Sequence, residues 1–258
     1  MLSRPAANFH STRLFSAQGI YETSLTAKTF IGDKLQLGER VFYYALNGAA
    51  DLYGGNLIET AYLAGATTEF QTQCAISVAA PIGSTNIYMT SVTTAQAANL
   101  FSDGWAGIYD DESTDSYYTY KVKKNTALAA TGTTGYITLY DEMHIALTTS
   151  DKVLLTTNPF KSVVIADYST PAGASLGFAP VNVTAAYYFW LQTWGPVNAA
   201  ISSAALTIGY DVVRSTAADG LVMSQVAGAS SVGVDRIGRC LAPGTASKGA
   251  LINVEIMR

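Results

Sequence analysis

The sequence has 258 residues, 49% of them hydrophobic and only 13% charged, with a formal net charge of −4. That charged share is about half that of an ordinary soluble domain, so much of the exterior is expected to be Thr, Ser, Asn and Gly, or to lie under other subunits. The acidic balance and scattered Lys and Arg argue against a nucleic-acid-binding surface, and 16 Tyr against 9 Phe and 3 Trp favour strands over helices.

Residues 1–28 read as an extended N-terminal arm with little hydrophobic pattern. Its first 21 residues carry Arg4 and Arg13 and no acid, and they show no secretory signal pattern. A first β domain is expected over residues 29–168. It opens with the short runs Thr29-Phe30-Ile31, Arg40 to Ala45 and Leu57-Ile58, separated by the turn signals Asn47-Gly48 and Gly54-Gly55-Asn56. Further on, Tyr118, Tyr120 and Val122 alternate with Tyr117, Thr119, Lys121 and Lys123. Tyr136 to Tyr140 and Lys152 to Thr156 are further strands. One short helix is predicted at Thr93 to Phe101, with Thr94 as its N-cap.

The Pro/Gly-rich joint Ser169 to Gly173 leads into a second β domain over residues 174–258. Its expected rungs are Ala185 to Trp194, Ala204 to Tyr210, Gly220 to Met223, Val234 to Cys240 and Ala250 to Ile256. In the last, Ala250, Ile252, Val254 and Ile256 point inward. The fold class is therefore mainly β: two small β-barrel or sandwich units with one short helix and an extended N-terminal arm. Tyr168 to Tyr210 contains no charged residue, but Pro171, Pro180 and Pro196 interrupt it, so no membrane-spanning helix is expected. Cys74 and Cys240 read as two buried thiols.

Catalytic patterns are poor. His10 and His144 are the two histidines, and no G-x-S-x-G is present. Four His and Cys in all, widely scattered, do not make a zinc site. The run Asp110 to Asp115 lacks the spacing of a calcium loop and reads as a solvated hairpin tip, with a Ca²⁺ site as the alternative. Pro243 to Gly249 is not a phosphate loop. No catalytic residue, metal ligand or cofactor is assigned. A glycosidase-like carboxylate pair has no further support in the sequence.

The strongest feature is Tyr187-Tyr188-Phe189-Trp190-Leu191-Gln192-Thr193-Trp194-Gly195-Pro196. As a strand it puts Tyr187, Phe189 and Leu191 on one face and Tyr188, Trp190 and Trp194 on the other. Both faces are large and apolar, so burial on both sides is expected. One side is read as domain core and the other as a homo-oligomer interface, with Tyr188, Trp190 and Trp194 as anchors. Burial wholly inside one larger core is the competing reading.

The stretch Ala179 to Pro196, with Ile208-Gly209-Tyr210, Val212-Val213, Ile237 to Ala242 and Ala250 to Val254, resembles segments of virion structural proteins of tailed bacteriophages. Tyr21 to Ser24 and Gly32 to Phe42 resemble their N-terminal parts. The resemblance covers about two thirds of the chain in scattered pieces. It implies a capsid decoration (cement) or head protein made in the host cytoplasm and located on the capsid surface of the virion. The expected partners are itself, most simply as a trimer, and the major capsid protein, with no nucleic acid and no membrane. A receptor- or glycan-binding fibre or tail appendage, using Trp105 and Tyr109, is the alternative.

Overall fold

The computed structural model describes residues 18–61, 74–90, 95, 97–110, 116–127, 134–169, 173–202, 204–225 and 235–258. These residues hold strands and no helix. In chain order the strands are β1 (Lys34–Leu37), β2 (Arg40–Asn47), β3 (Leu57–Glu59), β4 (Cys74–Val78), β5 (Asn86–Thr90) and β6 (Trp105–Asp110). There follow β7 (Ser116–Asn125), β8 (Thr134–Leu139), β9 (Lys152–Thr156), β10 (Lys161–Ile165) and β11 (Ser175–Phe178). The last are β12 (Tyr188–Ala200), β13 (Asp211–Arg214), β14 (Val222–Ser224), β15 (Arg236–Ala242) and β16 (Gly249–Glu255).

The mainly-β class holds, but the chain divides differently from the expected 29–168 and 174–258. One compact unit contains residues 1–61 together with 160–258, and the other contains residues 62–159. The reason lies in strand pairing. β2 pairs with β12 and β3 pairs with β11, so strands on both sides of the 62–159 segment belong to one sheet. Local alternation does not reveal such partners, because every strand has two open edges.

In the larger unit the strand order is β1-β2-β10-β3-β11-β12-β16-β15-β13-β14, and the extra pairing of β2 with β12 closes five strands into a ring. All pairings are antiparallel except β2 with β10. β1 and β2 form a hairpin in which Leu37 faces Arg40 across Gly38-Glu39. Gly38 has φ of +62°, which a two-residue hairpin turn favours at its first central position. Each ring strand contributes to one apolar cluster, with Ala45, Ile58, Val163, Leu176, Phe189 and Leu191 among its buried members. A second cluster of the same unit includes Val197, Val212, Ile237, Ile252 and Val254. β16 alternates as expected, its even-numbered residues buried. Ala204 to Tyr210 is not the expected strand. It is irregular, with a turn at Ile208-Gly209, Gly209 at φ +89° and Ile208 exposed.

The smaller unit is a closed barrel of order β4-β5-β8-β7-β6-β9, antiparallel throughout. Closure through Cys74 opposite Val153 removes free sheet edges. Its core holds Ile76, Ile87, Met89, Ile108, Tyr120, Val122, Ile137 and Val153, with Tyr118 packed against it. Tyr117 on the opposite side of β7 is exposed, as the alternation requires.

The predicted helix does not form. Thr93 and Thr94 lie outside the described residues, and Ala98 to Asp103 are turns with Asn99 and Asp103 both near φ +61°. Buried Asn125 explains that shape. Its Oδ1 accepts from Phe101 N at 2.9 Å, and its Nδ2 donates to Ala97 O and Thr126 O, each at 2.9 Å. A side chain reaching from β7 thus takes the backbone groups that a helix would pair internally.

Candidate interaction surface

β12 shows how a two-faced apolar strand is used. Phe189 and Leu191 are fully buried in the cluster of the ring, with Tyr187 packed against it. Trp190 is 3% exposed and belongs to a separate cluster with Phe42 and Tyr44, against which Ile20, Leu35 and Tyr188 pack. The two faces expected for this strand are therefore real, and fully burying a residue such as Phe189 or Leu191 contributes about 1.5–3 kcal/mol.

What covers the Trp190 face is the chain's own N-terminal segment. Ser24 N donates to Tyr188 O at 3.0 Å and Tyr188 N donates to Ser24 O at 2.7 Å. Gln18 is buried; its Nε2 donates to Tyr188 O at 2.9 Å and to Glu22 O at 2.8 Å. The indole Nε1–H of Trp190 donates to Gln18 O at 3.1 Å, and the Tyr44 hydroxyl donates to Gln18 Oε1 at 2.7 Å. Lys28 N donates to the Tyr44 hydroxyl at 3.1 Å. Tyr44 lies edge-on to Trp190 with ring centroids 5.0 Å apart, and is stacked on Tyr188 at 5.8 Å. Burial pushes the Tyr44 phenol above its ordinary pKa; the Lys28 amide opposes this and the neighbouring Tyr188 adds to it.

The described part of the arm, residues 18–28, is thus docked rather than extended away. Two ring polar groups on an otherwise apolar face need partners, and the Gln18 segment supplies them. An intermolecular partner is not required to bury Trp190. Trp194 also departs from the expected pattern. The register slips between Gln192 and Trp194, so that Gln192 faces Phe42 but Trp194 faces Val41. Directly opposed residues point the same way, so the bulge moves Trp194 off the face shared by Trp190, Phe42 and Tyr44. The half-buried Trp194 ring carries the Arg258 guanidinium, 5.5 Å from its centroid.

A buried ionic cluster escaped the sequence reading. Arg214 Nη1 contacts Glu59 Oε2 at 2.7 Å, with both side chains almost wholly buried. Arg214 also donates to Asp167 O at 3.2 Å, Gly173 O at 3.4 Å and Ser175 Oγ at 2.8 Å, and meets Asp235 Oδ2 at 3.3 Å. It therefore ties β13, β3, β11 and the residue before β15 together. The only sequence signal is a lone charge ending each of the short apolar runs Leu57-Ile58-Glu59 and Val212-Val213-Arg214.

On the barrel unit, Trp105 is exposed and Lys121 Nζ stands 4.5 Å from its ring centroid. Burial draws the Lys121 pKa down, while Asp103 pulls it back up. Tyr109 and Tyr117 pair across the strands at 5.4 Å, and Tyr140 donates to Asp103 Oδ1 at 3.0 Å. Tyr109 is half-buried, less open than Trp105.

The remaining sequence candidates do not come together. His144 is exposed, its backbone amide donating to the Tyr120 hydroxyl at 3.0 Å. His10 and residues 111–115 of the acidic run lie outside the described residues. Among the described residues no group of His, Cys, Asp and Glu is arranged to hold a metal ion. Both cysteines are buried, as expected. Among the described residues no helix is long and apolar enough to cross a membrane. The neutral stretch from Tyr168 to Tyr210 instead contains the buried strands β11 and β12. No family model matches the chain, and neither a curated protein nor a solved structure matches it.

Proposed function

We propose that the chain is a structural virion protein that binds and stabilises a tailed-phage capsid surface as a homo-oligomeric decoration protein, most simply a trimer. Its partners in this reading are other copies of itself and the major capsid protein, and it performs no catalysis. The observation that carries the reading is the apolar surface left over once the cores are complete. Leu25 and Ile208 of the larger unit are each more than 60% exposed, on a chain with few charges to keep it apart from other molecules. Such side chains are expected to be covered in an assembly. Because Trp190 is buried within its own chain, the contact residues in this reading shift from that ring to these exposed ones.

Light scattering at micromolar concentration tests the oligomer, with a trimer expected. Mass spectrometry of purified virions then tests the location, with a copy number commensurate with the major shell protein expected. A monomer, or a copy number fitting the tail, would overturn the decoration reading.

A glycan-binding appendage is the second reading, and the exposed Trp105 beside Lys121 favours it. Flat rings bordered by donors suit sugar faces and hydroxyls. Glycan-array binding that disappears in Trp105→Ala supports this reading, and an array that stays blank rejects it.

A further inference from the structure

A cavity of about 250 Å³ opens on the larger unit, its walls including Tyr21, Arg40, Gln192, Pro196, Asn198 and Leu251. Folding leaves two of these side chains with donors to spare. Arg40 Nη1 donates to the Tyr21 hydroxyl at 3.2 Å, and its guanidinium carbon lies 5.3 Å from the Phe42 ring centroid. Among the described residues no carboxylate stands within ion-pair distance of Arg40. The phenol and the ring hold the cation in place, while the rest of its planar fork remains uncommitted.

The Asn198 side-chain amide likewise has no hydrogen-bond partner among the described residues. It is seated against Gly249, where a Cβ would come within 2.6 Å of its Oδ1, so any larger residue would displace it. Gln192 contrasts with both. It is buried, and its Nε2 is already spent on Trp194 O at 3.1 Å and Pro196 O at 2.8 Å, which makes it a fixed part of the wall.

We propose that this cavity is a binding site for a carboxylate carried on a compact apolar body. The guanidinium fork matches the two oxygens of a carboxylate, and a charge-assisted pair of this kind is among the stronger hydrogen-bonded contacts. Asn198 adds a neutral donor, and Pro196 with Leu251 offers apolar surface to the body of the ligand. The volume suits a small acid rather than a drug-sized molecule. The same chemistry admits a free acid or the C-terminal carboxylate of another chain. The site does not rest on the decoration reading and stands or falls separately from it.

The test is a titration of the ¹⁵N-labelled full chain with benzoate, followed by NMR, with benzamide as the neutral control. Saturable shifts centred on Arg40, Gln192 and Asn198 are expected with benzoate, at least tenfold weaker with benzamide. Arg40→Met should weaken benzoate binding at least tenfold. Leu251→Trp, which fills the mouth from the exposed side of β16, should do the same with Arg40 intact, and it decides the matter if Arg40→Met does not fold. A short peptide ending in a free Phe carboxylate and its C-terminal amide form the second arm. Tighter binding of the peptide acid than of benzoate assigns a chain terminus, whereas binding of benzoate alone assigns a free acid. Shifts that fail to saturate, equal shifts with benzamide, or binding unaffected by the folded variants would overturn the site.

Discussion

Trp190 and Gln18 lie 172 residues apart in sequence, yet the indole N–H of the first donates to the backbone carbonyl of the second at 3.1 Å. Gln18 thereby caps the most aromatic strand of the fold. This contact makes the Trp190 ring part of the chain's own interior.

Trp190→Ala is therefore expected to lower the stability of the chain by about 3–5 kcal/mol. Trp190→Phe keeps the ring but leaves the Gln18 carbonyl without its donor, at a cost of about 1–3 kcal/mol. Urea melts measure both. A loss that vanishes on raising the protein concentration would show that the ring is buried between subunits instead.

Arg214→Met should cost about 3–5 kcal/mol, because it strands the Glu59 carboxylate without its cation. Replacing both, as Glu59→Leu with Arg214→Met, should recover much of that loss. A double-mutant cycle in denaturant reads the coupling. If Arg214→Met alone were nearly neutral, the ionic cluster would not be what ties β3 to β13.

Gly195 follows the bulge of β12 with φ of +88°, and a Cβ there would lie 2.6 Å from Glu39 O. Gly195→Ala should destabilise by about 1–3 kcal/mol from the backbone conformation alone, with the overlap adding to it. Thermal melts beside Gly209→Ala make the comparison. Gly209 also has a positive φ but open space around its Cβ position, so it carries the conformational cost without the overlap. Equal losses would mean that the close approach at Gly195 is relieved at no cost.

Stability should decline at high pH. Burial raises the pKa of the Tyr43 and Tyr44 phenols and of the Cys240 thiol, and burial followed by the Asp103 contact raises that of Tyr140. A raised folded pKa means that the folded state holds its proton longer than the unfolded state. The stability is complete below the unfolded values, about 8.5 for a thiol and 10 for a phenol, and is lost as pH rises through the folded ones. Denaturant melts between pH 7 and 11 measure the slope. Tyr43→Phe should flatten it, and an unchanged slope would remove Tyr43 from the account.

The sequence by itself determined the β class, the faces of several strands and the double burial of β12. Those features depend on residue type and a period of two, which are local. Tyr118, Tyr120 and Val122 turn inward, as do Ala250, Ile252 and Val254, because a pleated strand sends alternate side chains to opposite sides. The tertiary structure alone decided which strands meet. Residues 62–159 form a barrel of their own between β3 and β10, and strand edges carry no label that announces a partner 144 residues away, as between Ala45 and Phe189. The same limit applies to the candidate sites. The pairing of Arg214 with Glu59 and the lining of one cavity by Arg40 and Asn198 exist only once the sheet is closed. Trp194 shows the boundary within a single strand: alternation places it beside Trp190, and one extra residue in the ladder sets it opposite Val41, outside the Trp190 cluster.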